Sequence, residues 1–226
     1  MANKLWTPQN GSTEWHNAAN WEPNGIPAPA DEITINSLAE VNQGVNTALG
    51  FKLTIGQLGT LMIKASEIWN FGAERFDNVQ PAEYPRIPTI VNNGRIIASI
   101  APHTVRVFVL LENNGQMMVT TGAIAIIIPV RSATPESTSN GTMIGSGDTS
   151  ISLSGSFNFG ARSSLVADGL YFNTWGDQIG DSKVMGTFVA RTLGVMRRKV
   201  TFIGHAFDVG KIILRDPDAQ TEFKAA

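Results

Sequence analysis

Residues able to do chemistry are few in this 226-residue chain and stand far apart. The three histidines, His16, His103 and His205, lack a ligand spacing such as H-x-H or H-E-x-x-H, which would bring two imidazoles to one metal. They read as isolated surface or capping residues. Asp177 and Asp181 stand four apart among glycines in the stretch from Trp175 to Ser182. Such oxygens could serve calcium, but the stretch matches no EF-hand pattern, and a polar turn between strands accounts for it. A glycan-cleaving site needs paired acids, or acids with basic residues, on one face. Between residues 90 and 195 the acids are Glu112, Glu136, Asp148, Asp168, Asp177 and Asp181, most of them close to turn glycines. Arg197-Arg198-Lys199 could meet an acidic partner, yet it lacks aromatic interleaving and reads as an exposed strand end that blocks edge pairing. Asn10-Gly11-Ser12 and Asn140-Gly141-Thr142 match a glycosylation sequon, which Asn-Gly turns produce by chance. The residues therefore predict no catalytic, cofactor or metal site, and a protein that is not an enzyme.

The elements that would position any site are strands. Seven stretches begin with glycine and run into β-formers, at Gly59, Gly94, Gly115, Gly141, Gly155, Gly169 and Gly186. Three of these glycines follow asparagine, and Asn-Gly tolerates a left-handed bend. A bend followed by a strand, repeated in this way, predicts a β-solenoid turning its corners. The glycine steps are uneven, at 35, 21, 26, 14, 14 and 17 residues, so the expected solenoid is short and irregular. A β-sandwich or jelly roll is the alternative all-β reading.

Composition narrows the function classes. The formal net charge is -2, which argues against a nucleic-acid partner held by clustered Lys and Arg. Charged residues make up 16% of the chain, below the usual quarter, as suits strands that pair with one another. The chain has no cysteine, so packing and hydrogen bonds alone hold the fold. Its first residues, Met1 to Trp6, contain no apolar segment of the secretory kind. The most apolar run, Ala123 to Val130, is about half the length of a membrane span and reads as a fully buried strand. No membrane partner is expected.

Residues 1–35 differ from the rest. They hold three of the five tryptophans, Trp6, Trp15 and Trp21, interleaved with prolines, and end in the alternating run Asp31-Glu32-Ile33-Thr34-Ile35. The string Trp15-His16-Asn17-Ala18-Ala19-Asn20-Trp21, then Gly25-Ile26-Pro27, then Asp31 before Ile33-Thr34-Ile35, resembles the start of β-helical passenger-type proteins in bacterial surface adhesins. It is similar also to phage structural proteins that begin close to their initiator methionine. The resemblance covers about 35 residues well and the glycine repeats loosely. It implies that Trp6, Trp15, Trp21, Asn20, Pro27 and Asp31 cap the solenoid end. Physics points the same way, because an open solenoid end exposes apolar side chains and unpaired strand edges that large rings can cover. A tryptophan-lined sugar site is the competing reading.

The expected layout is a cap over 1–35, a solenoid body over 36–195 and C-terminal strands with a tail over 196–226. Within the body, 68–88 carries three prolines and several aromatics and reads as a loop excursion. Trp69, Phe71, Arg75, Phe76, Tyr84 and Arg86 give that loop the composition of an interface hot spot. The segment 132–140 reads as an exposed polar loop.

These features predict a bacteriophage virion structural protein: a capsid decoration (cement) protein or a short tail or fibre component, made in the host cytoplasm. Its expected partners are copies of itself, as a homotrimer, and other virion proteins such as the major capsid protein. The apolar runs Val105–Val109 and Ala123–Ile126 are the faces expected to pack around the three-fold axis. A secreted adhesin or surface-layer fragment, placed at the cell surface, is the second reading. A glycan-active depolymerase is the third.

Overall fold

The computed structural model describes residues 1–42, 50–64, 67–68, 88–128, 136–173, 180–196, 198–203 and 207–224. Strands dominate it, and they stack in parallel into a short β-helix. Parallel ladders between rungs exclude the antiparallel sandwich alternative. One sheet of 11 strands and one of 10 form the walls, each ordered along the chain. The exception is Trp21–Glu22, which lies antiparallel to Asn3–Trp6 at the outer edge.

The second sheet bends at a corner, which gives three faces. Inward residues alternate along a strand, as the pleat requires. In Thr187–Val195 the buried residues are Phe188 and Ala190, then Leu193 and Val195, so the parity flips between them. The strand Gln116–Ile127 flips in the same way, with Met117 and Val119 before Ile124 and Ile126, and its register shifts at Gly122, whose φ is +74°. Glycine supplies that corner because a side chain resists such a φ. Inward residues then stack from rung to rung. On the third face Val105, Ile124, Ile151, Leu170, Leu193 and Ile212 follow one another in register. Of the run Ala123–Val130, Ile124–Ile128 is buried, Ala123 is partly exposed, and Pro129 and Val130 lie outside the described residues. Toward the C-terminus the filling turns aromatic, with Phe159, Phe172, Phe188 and Phe202 in mutual contact at ring separations of 4.7–6.5 Å.

The glycines mark a corner, but for a different reason from the one expected. Gly94, Gly115 and Gly141 are absent from the left-handed residues, which are Asn10 and Gly11, Gly25, Gly50, Gly122, Gly147 and Gly155. They form a column: a Cβ on Gly94 would meet the Gly59 carbonyl, one on Gly115 the Gly94 carbonyl, and one on Gly141 the Gly115 carbonyl. Each of these carbonyls accepts from the next rung, as in Gln116 N to Gly94 O at 2.8 Å and Thr142 N to Gly115 O at 2.9 Å. Close backbone approach, not positive φ, selects glycine here. Ser163 occupies the next place in the column and Gly186 the one after. The coil period from Gly94 onward is therefore 21–26 residues, and the short steps came from Gly155 and Gly169, which lie outside the column.

Two expectations about polar segments are corrected. Ser137–Ser139 is a rung of the first sheet, and both serines are buried. The Ser137 hydroxyl accepts from Leu111 N at 2.9 Å. Ser139 Oγ accepts from the Asn113 amide at 3.1 Å, and Asn92 donates to Asn113 Oδ1 at 2.7 Å. This internal ladder replaces apolar filling on three rungs, and its polar groups are paired, as burial requires. Arg198 is also buried, at 4% exposure, rather than an exposed strand end. Its guanidinium donates to the Asn173 carbonyl at 2.9 Å and to Ser182 Oγ at 2.8 Å. The walls also cross both expected domain boundaries. Asn3–Trp6 and Glu32–Ile35 already pair in parallel, and Lys199–Ile203, Phe207–Leu214 and Gln220–Lys224 extend the two sheets.

Candidate assembly surfaces

The N-terminal end is sealed by the tryptophans. Trp21 contacts Trp15 edge-on at 4.7 Å and Trp6 at 4.8 Å, and none of the three rings is more than 3% exposed. Trp6 Nε1 donates to Leu38 O at 2.9 Å, which ties the first sheet to the second. Trp21 Nε1 donates to Trp15 O at 2.8 Å. The segment before Trp15 runs beside the leading strand of the second sheet, where Trp15 N donates to Glu40 O and Glu40 N to Thr13 O. The leading strand of the second sheet is thus flanked by the chain itself, and Trp21–Glu22 is the leading strand of the first.

The polar residues of this segment fix its path. Asn20 is fully buried; its oxygen accepts from Gln9 N at 3.0 Å and its amide donates to Glu14 O at 3.0 Å and Ser12 Oγ at 3.1 Å. Asp31 accepts from Ala2 N at 2.7 Å and Ala28 N at 3.0 Å, and Pro27 between them is buried. His16 is held below the ordinary imidazole range by burial, with Glu14 acting the other way.

The C-terminal end differs. Ile212, Leu214 and Phe223 continue inward columns, stacked on Leu193, Val195 and Phe202, yet they are 42%, 50% and 47% exposed. Phe207–Leu214 and Gln220–Lys224 are the last strands of their sheets. Glu222 on the outer surface bonds Lys199 at 2.8 Å and Lys224 at 3.2 Å, which draws its carboxyl below the usual range and raises Lys199. Nearby, burial pushes Arg198 down to about 10, against the pull of Asp181, so it stays cationic at neutral pH.

The remaining sequence-predicted residues do not converge. Trp69, Phe71, Arg75, Phe76, Tyr84 and Arg86 lie outside the described residues, as do His205, Asp177 and Arg197. His103 falls within strand Arg95–Phe108. Asp168 pairs with Arg191 at 3.3 Å. Glu112 accepts from Asn114 at 3.1 Å and Glu136 from Asn158 at 3.4 Å, both on the outside of the first sheet. Among the described residues no three potential metal ligands gather.

The two faces expected to surround a three-fold axis are mostly interior. Val105, Val107, Val109, Ile124 and Ile126 belong to the main core, and Phe108 and Ala125 form a second buried cluster with Ile127. Sequence reasoning missed a different face. Outward residues of the second face run in register as Met62, Ile97, Met118, Ile144, Val166 and Val189. Each is partly exposed. The signal was present in the sequence, because these are the apolar residues that stand between inward ones in Thr60–Ile63, Thr142–Gly145 and their neighbours.

Comparison with protein-family models, with curated proteins and with solved structures gives no match, so the surfaces must be read from their own chemistry.

Proposed function

We propose that this chain is a structural protein of a bacteriophage particle, a capsid decoration protein or a short tail or fibre component, that works by protein–protein contact. The observation that carries this reading is the asymmetry of the two ends. One end is closed by three packed tryptophans, while the other presents Ile212, Leu214 and Phe223 beside two strand edges. Exposed strand edges with apolar side chains are sites of pairing with another chain. Apolar side chains beside strand edges suit attachment to a larger particle. The major capsid protein, or a neighbouring tail protein, is the partner this reading assigns to the open end.

The test is co-sedimentation with phage particles assembled from a major capsid protein and, separately, with purified tail proteins. The wild type should pellet with them. A Leu214→Asp/Phe223→Asp variant that keeps the parent circular dichroism should lose at least tenfold in affinity. Unchanged binding by that variant, or no binding by the wild type to capsid or tail proteins, would overturn the reading. Release of reducing ends from bacterial polysaccharide would replace it with the depolymerase reading.

A further inference from the structure

The outward column of the second face carries an inference that is independent of the open end. It also replaces the faces from which a trimer was first expected. From Met62 to Val189 it places one Met, Ile or Val on each of six successive rungs. At about 4.8 Å per rung the column is about 24 Å long. It is only one side chain wide. The flanking residues on these rungs are polar, from Thr60, Arg95 and Gln116 on one side to Thr120, Asp168 and Arg191 on the other.

We infer that this column lines a three-fold axis parallel to the solenoid, and that its occupant is two further copies of this chain. Three reasons lead there. The first is width. A face-to-face pair of flat sheets would bury the exposed Arg95 and Arg191 beneath the partner, at a desolvation cost. Three faces around one axis bring the narrow apolar columns together in the centre and leave the polar flanks toward the rim, the usual anatomy of an interface. The second is register. In a parallel arrangement each residue of the column meets its own counterparts at the same height, so all six layers are apolar. The third is charge. Parallel packing brings one flank of a rung against the other flank of the same rung. Ser164 then meets Asp168, and Thr187 meets Arg191, so a hydroxyl faces each charge. An antiparallel pair would instead set Lys64 against Arg191, opposing like charges on one flank. Glu40 and Asp208, one rung beyond either end of the column, meet their own copies in the parallel form; Glu40 brings its counter-ion, with Lys64 at 3.0 Å, and Asp208 is exposed to water.

The experiment uses the whole chain at micromolar concentration, in native mass spectrometry and multi-angle light scattering. The wild type should be a trimer. Met118→Asp places three carboxylates at the middle of the axis and should give monomer with unchanged circular dichroism. A second variant covers the case in which that substitution unfolds the chain. The protein has no cysteine, so Met118→Cys supplies a single thiol per chain. Mild oxidation should link pairs of chains covalently, while Leu58→Cys, at an 86% exposed site elsewhere, should not link. A monomeric or dimeric wild type overturns the inference. So does a trimer that Met118→Asp leaves intact, or the absence of a Met118→Cys cross-link. Loss of particle binding by the Leu214→Asp/Phe223→Asp variant, with the trimer retained, would separate this surface from the end.

Discussion

Trp15 shows how far one residue governs the start of this fold. Its ring is fully buried and its backbone closes the leading edge of the second sheet through Glu40. Trp21 lies against it at 4.7 Å and hydrogen-bonds its carbonyl. Removing either ring opens a large cavity at the end of the stack. Trp15→Ala and Trp21→Ala should each lower stability by about 3–5 kcal/mol, measured by denaturant unfolding. The competing idea, a sugar site, makes the opposite forecast. Under it, both variants would keep the parent melting temperature and lose binding to a glycan. Burial of the rings leaves little surface for a sugar to stack upon.

At the scale of the element, the coil is set by backbone proximity at one corner. A Cβ on Gly115 would sit 2.8 Å from the Asn93 carbonyl carbon and 2.9 Å from Gly94 N, besides meeting the Gly94 carbonyl oxygen. Backbone atoms on the rung below cannot step aside one rung at a time. Gly115→Ala should therefore cost about 1–3 kcal/mol as overpacking. Gly147 provides the contrast, since it is exposed, has a φ of +65° and has open space around a would-be Cβ. Gly147→Ala bears only the left-handed strain of about 1–2 kcal/mol. A chain relieved of that strain by the D-alanine analogue at 147 should recover wild-type stability, while the L-alanine cost at 115 comes from contact with the rung below. Chemical synthesis or ligation with denaturant melts would check both.

For the whole molecule, the two ends and one side face do different work. At the N-terminal end the three tryptophan rings are packed and buried. The opposite end and the Met62–Val189 column each leave apolar surface partly exposed. If copies associate through the column, folding and association are linked, and the melting temperature must depend on concentration. A tenfold rise in protein concentration should raise the wild-type melting temperature by a few degrees and leave that of Met118→Asp unchanged. Differential scanning calorimetry over a concentration series reads this directly, and a flat wild-type series would count against a stable oligomer.

Strand content, the solenoid class and the burial of Ile124–Ile128 were legible in the sequence, because glycine spacing and apolar runs are local signals of backbone conformation and burial. The coil period was not. Gly155 and Gly169 look like Gly115 in one dimension, and only the stacking of carbonyls shows which glycines share a corner. Ser137, Ser139 and Arg198 read as surface residues by type, but inside they hydrogen-bond to neighbouring rungs, Arg198 through its two terminal nitrogens. The same limit hid the candidate interface. A strand tells which residues alternate, but only the closed cross-section tells which side is in. Val105 and Ile124 proved to be filling, while Met62, Ile97 and Met118 stand outside, because the chain turns a corner that reverses the parity of the pattern.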